Sequence, residues 1–155
     1  MALGPFIRKR LGVFEKPISD AYRNFFMSLK DLTHSIKIQV PNAKTILEVG
    51  CGEGAIIDLL CELYPSTTII GIDIIEHVGR QFQKINPNVS FKRIRIEDFV
   101  VENDDLFDMI YLGDVLHHIP LKEHVDFLLN VKKALKPDGV LCLKDIDRNA
   151  GTVSF

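Results

Sequence analysis

Residues able to do chemistry gather in two places along this 155-residue chain. The first is Ile46-Leu-Glu-Val-Gly-Cys-Gly-Glu-Gly54, where Gly50, Gly52 and Gly54 follow a short apolar run and Glu48 stands two residues ahead of the first glycine. Glycines there permit a tight turn, let the backbone approach a ligand, and let the next helix pack closely. Gly50, Gly52 and Ala55 also satisfy GxGxxA, a dinucleotide-binding spacing, so the glycines alone leave the ligand open. Glu48 narrows the choice, because a carboxylate sits badly beside an anionic pyrophosphate and well beside a cationic group. The second place is Asp114-Val-Leu-His117-His118. One imidazole there could take a proton from a hydroxyl or acid, with Asp114 orienting it. The competing reading packs one histidine into a helix start and turns the other to solvent.

Both places need elements to hold them. From Thr45 onward, strand-like runs at 45–49, 68–72, 89–96, 108–112 and 140–146 alternate with helical patterns at 55–64, 76–85 and 121–135. In the second helical stretch Val78, Phe82 and Ile85 recur at i, i+4 and i+7; in the third, Leu121, Val125, Leu128 and Leu135 do so. The third strand changes face after Phe91, which predicts a bulge or an early end. Pro65, Pro87 and Pro137-Asp138-Gly139 punctuate the helix ends. Strand and helix in alternation predict an α/β fold, a Rossmann-like doubly wound sheet of mostly parallel strands, with its ligand beyond the strands' carboxyl ends. Ahead of it, Ser19 or Asp20 can cap an amphipathic helix carrying Tyr22, Phe25, Phe26, Leu29, Leu32 and Ile36.

Bulk properties exclude several classes. A net charge of −2 provides no field to recruit nucleic acid or an anionic membrane. Arg8, Lys9, Arg10 and Lys16 form a basic exception that reads as a solvated terminal arm. Cys51, Cys61 and Cys142 show no CxxC spacing, which argues against a disulfide framework or a zinc site. Cys51 reads as a small turn residue and the other two as core. No apolar run approaches the ~18 residues of a spanning helix, and no signal-peptide pattern opens the chain. A cytoplasmic location is expected.

Glu48-Val-Gly-Cys-Gly-Glu-Gly54 resembles the first motif of the class I S-adenosylmethionine-dependent methyltransferases. The likeness continues in order through Gly71-Ile-Asp73, Glu97-Asp98-Phe99, the Phe107–Pro120 stretch and Leu135-Lys-Pro-Asp-Gly139, covering roughly residues 44 to 147. It implies the cofactor S-adenosyl-L-methionine, with S-adenosyl-L-homocysteine as product, and a small-molecule acceptor. The backbone from Gly50 through Cys51 and Gly52 to Gly54 would wrap the methionine part, with Glu48 fixing the loop or the cationic end. Asp73 would accept from both ribose hydroxyls and Ile74 would pack on the adenine face. Asp98 would accept from the adenine amino group while the Phe99 amide donates to the ring. The chain at Leu112 and Gly113 would hold the methionine amino group. His117 and His118, with Asp114, would lie beside the transferable methyl as candidate catalytic residues. His124, or Asp145 and Asp147 with Asp114, suggest a metal only weakly, and none is expected.

The resemblance also divides the chain into residues 1–43, an arm and helix that could form a substrate lid, and a methyltransferase core over 44–155. Family members continue past strand five into a hairpin completing a seven-stranded sheet, whereas this chain stops at Ser154-Phe155. A truncated core is therefore expected. Its very apolar last strand, Val140-Leu-Cys-Leu143, would be an exposed edge suited to a homodimer. Two other functions stay open. One is a non-catalytic cofactor-binding or interaction module, and the other a nicotinamide-dependent oxidoreductase, for which 155 residues hardly supply a second nucleotide site.

Overall fold

The computed structural model describes residues 29–104 and 106–145. Five strands form one sheet in the order β3-β2-β1-β4-β5, and every neighbouring pair is parallel. The strands are β1 (Thr45–Val49), β2 (Thr68–Asp73), β3 (Val89–Arg93), β4 (Phe107–Gly113) and β5 (Leu135–Lys144). Helices α1 (29–39 of the described residues), α2 (Ala55–Leu63), α3 (Ile96–Glu102) and α4 (His124–Lys133) cover its two faces. The Rossmann-like arrangement expected from the alternating pattern is what forms. The strand order reverses between β1 and β4, so the glycine loop leaves β1 at the switch point, where such sheets bind ligands.

Strand β1 is apolar apart from Thr45 and Glu48 because it is buried on both sides. Ile46 joins a core with Leu29 and Ile36 of α1 and Ile57 and Leu60 of α2. Leu47 and Val49 join the opposite core with Phe99 of α3 and Phe127 and Val131 of α4. Asp108, at the start of β4, fastens the base of the sheet. Its Oδ2 accepts the Lys44 and Thr45 amides at 2.8 and 2.9 Å, while Oδ1 accepts Lys136 Nζ at 2.8 Å.

The helix expected over 76–85 does not form. Residues 76–81 make turns instead, with Gly79 at φ +69° under the Phe91 ring, where a Cβ would lie 2.5 Å from the ring carbons. The amides of Gly79 and Gln81 donate to the carbonyls of Gly52 and Glu53, both at 3.0 Å. Glu53 also pairs with Arg80 and Gln81. Bonds to the glycine loop replace an i−4 ladder, which periodicity alone could not reveal. The third strand ends early at Arg93, as its face change suggested, and α3 begins at Ile96 where a strand was expected to continue. The fifth strand starts at Leu135, earlier than read, with an irregular register between Phe107 and Met109 that absorbs Pro137-Asp138-Gly139.

Of the N-terminal helix, the expected cap and Tyr22, Phe25 and Phe26 lie outside the described residues, while Leu29 and Ile36 are buried as expected. On β5, the outer strand, Val140, Leu141 and Leu143 are 38%, 36% and 51% exposed. Among the described residues no helix is long and apolar enough to cross a membrane.

Candidate functional site

The backbone leaves β1 through Gly50 at φ +78°, a left-handed conformation that also brings it against Val115; a Cβ would lie 2.3 Å from Val115 Cγ2. The amides of Gly50 and Cys51 both donate to the Ile72 carbonyl, at 2.8 and 3.1 Å. Gly52 faces open space, and Gly54 ends the loop at the N-cap of α2. The turn is thus pinned to β2 at one end and to α2 at the other.

Asp73 closes β2 and binds both sides of the switch point. Its Oδ2 accepts the Gly52 amide at 2.7 Å, and Oδ1 accepts the Ile74 and Ile75 amides at 2.6 and 3.2 Å. A carboxylate offers roughly four acceptor positions, so it can take a further hydroxyl donor. Ile74 is 61% exposed, with its apolar surface toward open space.

Glu48 is only 3% exposed, and its Oε2 has no hydrogen-bond partner. Burial, and then the negative charge of Asp73, push its carboxyl well above the usual carboxylate range. Burial likewise raises the Cys51 thiol, reinforced by Glu48 and Asp73, which favours the thiol over the thiolate.

A cleft of about 240 Å³ opens beside Asp73, its apolar walls including Val49, Ile74, Ile94, Val115, Ile119 and Phe127. That is below the roughly 300–1,000 Å³ of whole-ligand pockets, and suits one ring system with the remainder lying outside. Arg95, Ile96 and Glu97 reach this cleft, but Asp98 and Phe99 do not line it. Asp98 is exposed and borders a more open depression that adjoins the cleft at Ile74, Ile94 and Arg95. The Phe99 amide donates to Arg95 O at 2.9 Å, and its ring is fully buried. The early end of β3 explains the difference, since α3 starts before the Glu97-Asp98-Phe99 motif and turns Asp98 outward. The face change at Ile94 was the signal in the sequence.

Leu112 is fully buried and sets the backbone height of Gly113, where a Cβ would lie 2.3 Å from the Tyr111 hydroxyl. Asp114 follows at φ +56° and pairs with Lys144. Asp145, not considered from sequence as a histidine's partner, meets His117 Nδ1 at 2.8 Å with Oδ1 and accepts the Leu116 amide at 2.6 Å with Oδ2. Only the sheet brings it there, by placing the end of β5 beside the exit of β4. His118 is exposed, its ring centroid 3.9 Å from that of His117. His124 Nε2 lies 3.0 Å from the carbonyls of both Leu116 and Ile119, and thereby ties the two short turns ahead of α4 together. Asp114, His117 and Asp145 bring ligating atoms within 4.8 Å of one another. Asp147 lies outside the described residues.

Comparison with known proteins agrees with this architecture. A family model described as a methyltransferase domain matches residues 41–153. The ubiquinone biosynthesis O-methyltransferase of Glaesserella parasuis is 30% identical over 69% of this chain and 47% of its own length. The trans-aconitate 2-methyltransferase of Variovorax paradoxus is 26% identical over 70% of this chain and 40% of its own. The crystal structure of the N-methyltransferase NodS from Bradyrhizobium japonicum, in complex with S-adenosyl-L-homocysteine, superposes with a TM-score of 0.60 at 25% identity, covering 77% of this chain and 59% of that one. This chain belongs to the methyltransferase-domain family. It spans less than half the length of these two curated relatives.

Proposed function

We propose that the chain binds S-adenosyl-L-methionine and belongs to an enzyme that methylates a small molecule. The observation that carries this reading is the carboxylate pair flanking the loop. Asp73 stands at the strand end with acceptor capacity to spare, and Glu48 is a buried carboxyl with no partner for Oε2. A cationic amino-acid group suits such a loop, and a pyrophosphate does not.

Asp73 would hold the ribose hydroxyls, and the Ile74, Ile94 and Val115 walls would take the base. Ile96 and Arg95, which line the cleft, would flank the base on its other side. The backbone from Gly50 to Gly54, and that at Leu112 and Gly113, would follow the methionine part. When bound, the cofactor supplies an electrophilic methyl on a positively charged sulfur. The chain's own part is to orient the acceptor and, where the acceptor carries a proton, to remove it. His117 is suited to that task, since Asp145 holds Nδ1 and makes Nε2 the accepting nitrogen. The exposed β5 edge supports a homodimer, which sedimentation at rising concentration tests directly.

A non-catalytic binding module is the second reading. Equilibrium dialysis with S-adenosyl-L-homocysteine and NAD decides the ligand class. Retention of the first alone, lost in Asp73→Ala, is the expected result; retention of NAD alone overturns the proposal. Methyl transfer to any acceptor in a panel of small hydroxyl and carboxyl compounds then separates an enzyme from a binding module.

A further inference from the structure

Glu48 presents a problem that the fold does not solve internally. Its side chain is 3% exposed, and Oε2 has no hydrogen-bond partner. It projects from the central strand between Gly71 of β2, which offers no side chain, and Tyr111 of β4. A charged carboxylate in such a place costs several kcal/mol unless a cation or donors surround it. The ionisable groups that act on it or respond to it are Asp73 at the end of β2, the Cys51 thiol in the loop and the Tyr111 phenol on β4. None of these is a cation. On this same face, α1 and α2 contribute the apolar Leu29, Ile36, Ile57 and Leu60. Among the described residues, burial and Asp73 both favour the neutral acid, although Glu48 stands two residues ahead of the glycine loop.

We propose that Glu48 is a proton-exchanging part of the ligand site: it carries a proton in the free protein and gives it up when a cationic amino-acid group settles against the glycine loop. This rests on the reading of the loop as the seat of the methionine portion. The balance is simple. The neutral carboxyl loses its proton to the buffer, no other bond changes, and the new carboxylate faces the ligand's positive charge. Affinity for such a ligand then rises with pH, because a lower proton concentration favours the bound, ionised form. A ligand without the charged amino-acid portion releases nothing from Glu48.

Calorimetric titration tests this without requiring any variant. Binding enthalpies are measured from pH 5.5 to 8 in pairs of buffers with different ionisation enthalpies, using S-adenosyl-L-homocysteine and, separately, 5′-methylthioadenosine, which keeps the nucleoside and lacks the amino acid. The expected result is release of up to one proton per S-adenosyl-L-homocysteine bound and none with 5′-methylthioadenosine. Glu48→Gln, which stays neutral, should bind without that release and with a flatter pH dependence. Binding of both compounds with equal proton counts overturns the inference and leaves the proposed function standing. Absence of binding by either compound overturns the proposed function and this inference with it. Should Glu48→Gln fail to fold, the carbonyl stretch of a protonated carboxyl in the wild-type infrared difference spectrum decides. Its loss on adding S-adenosyl-L-homocysteine supports proton release, and an unchanged band contradicts it.

Discussion

Replacing Asp73 by alanine removes the acceptor of three backbone amides at once, those of Gly52, Ile74 and Ile75. Each bond is worth about 1 kcal/mol where water can compensate and up to about 3 where it cannot, so Asp73→Ala should lower stability by roughly 1–3 kcal/mol in urea titration. It should weaken S-adenosyl-L-homocysteine binding at least tenfold, whereas a variant that loses stability alone would bind normally once folded. His117 and Asp145 divide differently. His117→Ala should reduce single-turnover methyl transfer about a hundredfold or more, within the 10²–10⁴ of general-base catalysis. Asp145→Asn should reduce it less, with cofactor affinity unchanged in both. A loss confined to affinity would assign the pair to binding instead. Asp73 was legible in the sequence because its place behind the glycine loop is a local fact. Asp145 was not, since its contact with His117 spans two strand ends that only the assembled sheet joins.

At the scale of elements, Asp108 joins the amino ends of β1, β4 and β5. The Lys136 ammonium, and then the backbone and hydroxyl donors of Lys44 and Thr45, hold its carboxyl down to about 2 from an ordinary 3.8. A depressed folded value means stability that is present above the unfolded value and lost as pH falls through the folded one. Asp108→Asn should therefore cost about 2 kcal/mol at pH 7, with the gap to wild type closing between about pH 4 and pH 2. Chemical denaturation across that range measures it; a gap independent of pH would refute the assignment. Gly79 tests the turn that replaced the expected helix. Gly79→Val forces a branched residue to φ +69° and into the Phe91 ring, and should cost several kcal/mol while loosening the loop that Gly79 and Gln81 bind. Hydrogen exchange at residues 50–54 should accelerate in a variant that remains folded. Apolar periodicity correctly marked Val78 and Phe82 as inward-facing, since both pack on the core, but not Ile85, which is fully exposed. It could not distinguish a helix from a strap whose amides are taken by a neighbouring loop.

For the molecule as a whole, the order β3-β2-β1-β4-β5 sets Asp73 on one side of the switch point and His117 and Asp145 on the other, with the cleft walled from both the β2 and the β4 exits. Five ordered motifs made the sheet legible, because each sits at a strand end and strand ends fix topology. The pairing of His117 with Asp145 was less legible, since it is assembled from the exits of β4 and β5. The division of labour predicts a nucleoside on the β2 side and its reactive end directed toward β4. A crystal structure with S-adenosyl-L-homocysteine bound measures this most directly. The expected result places both ribose hydroxyls within hydrogen-bond distance of Asp73 and the base between Ile74 and Val115. A ligand lodged elsewhere, or an Asp73 carboxylate that touches no sugar, would contradict it.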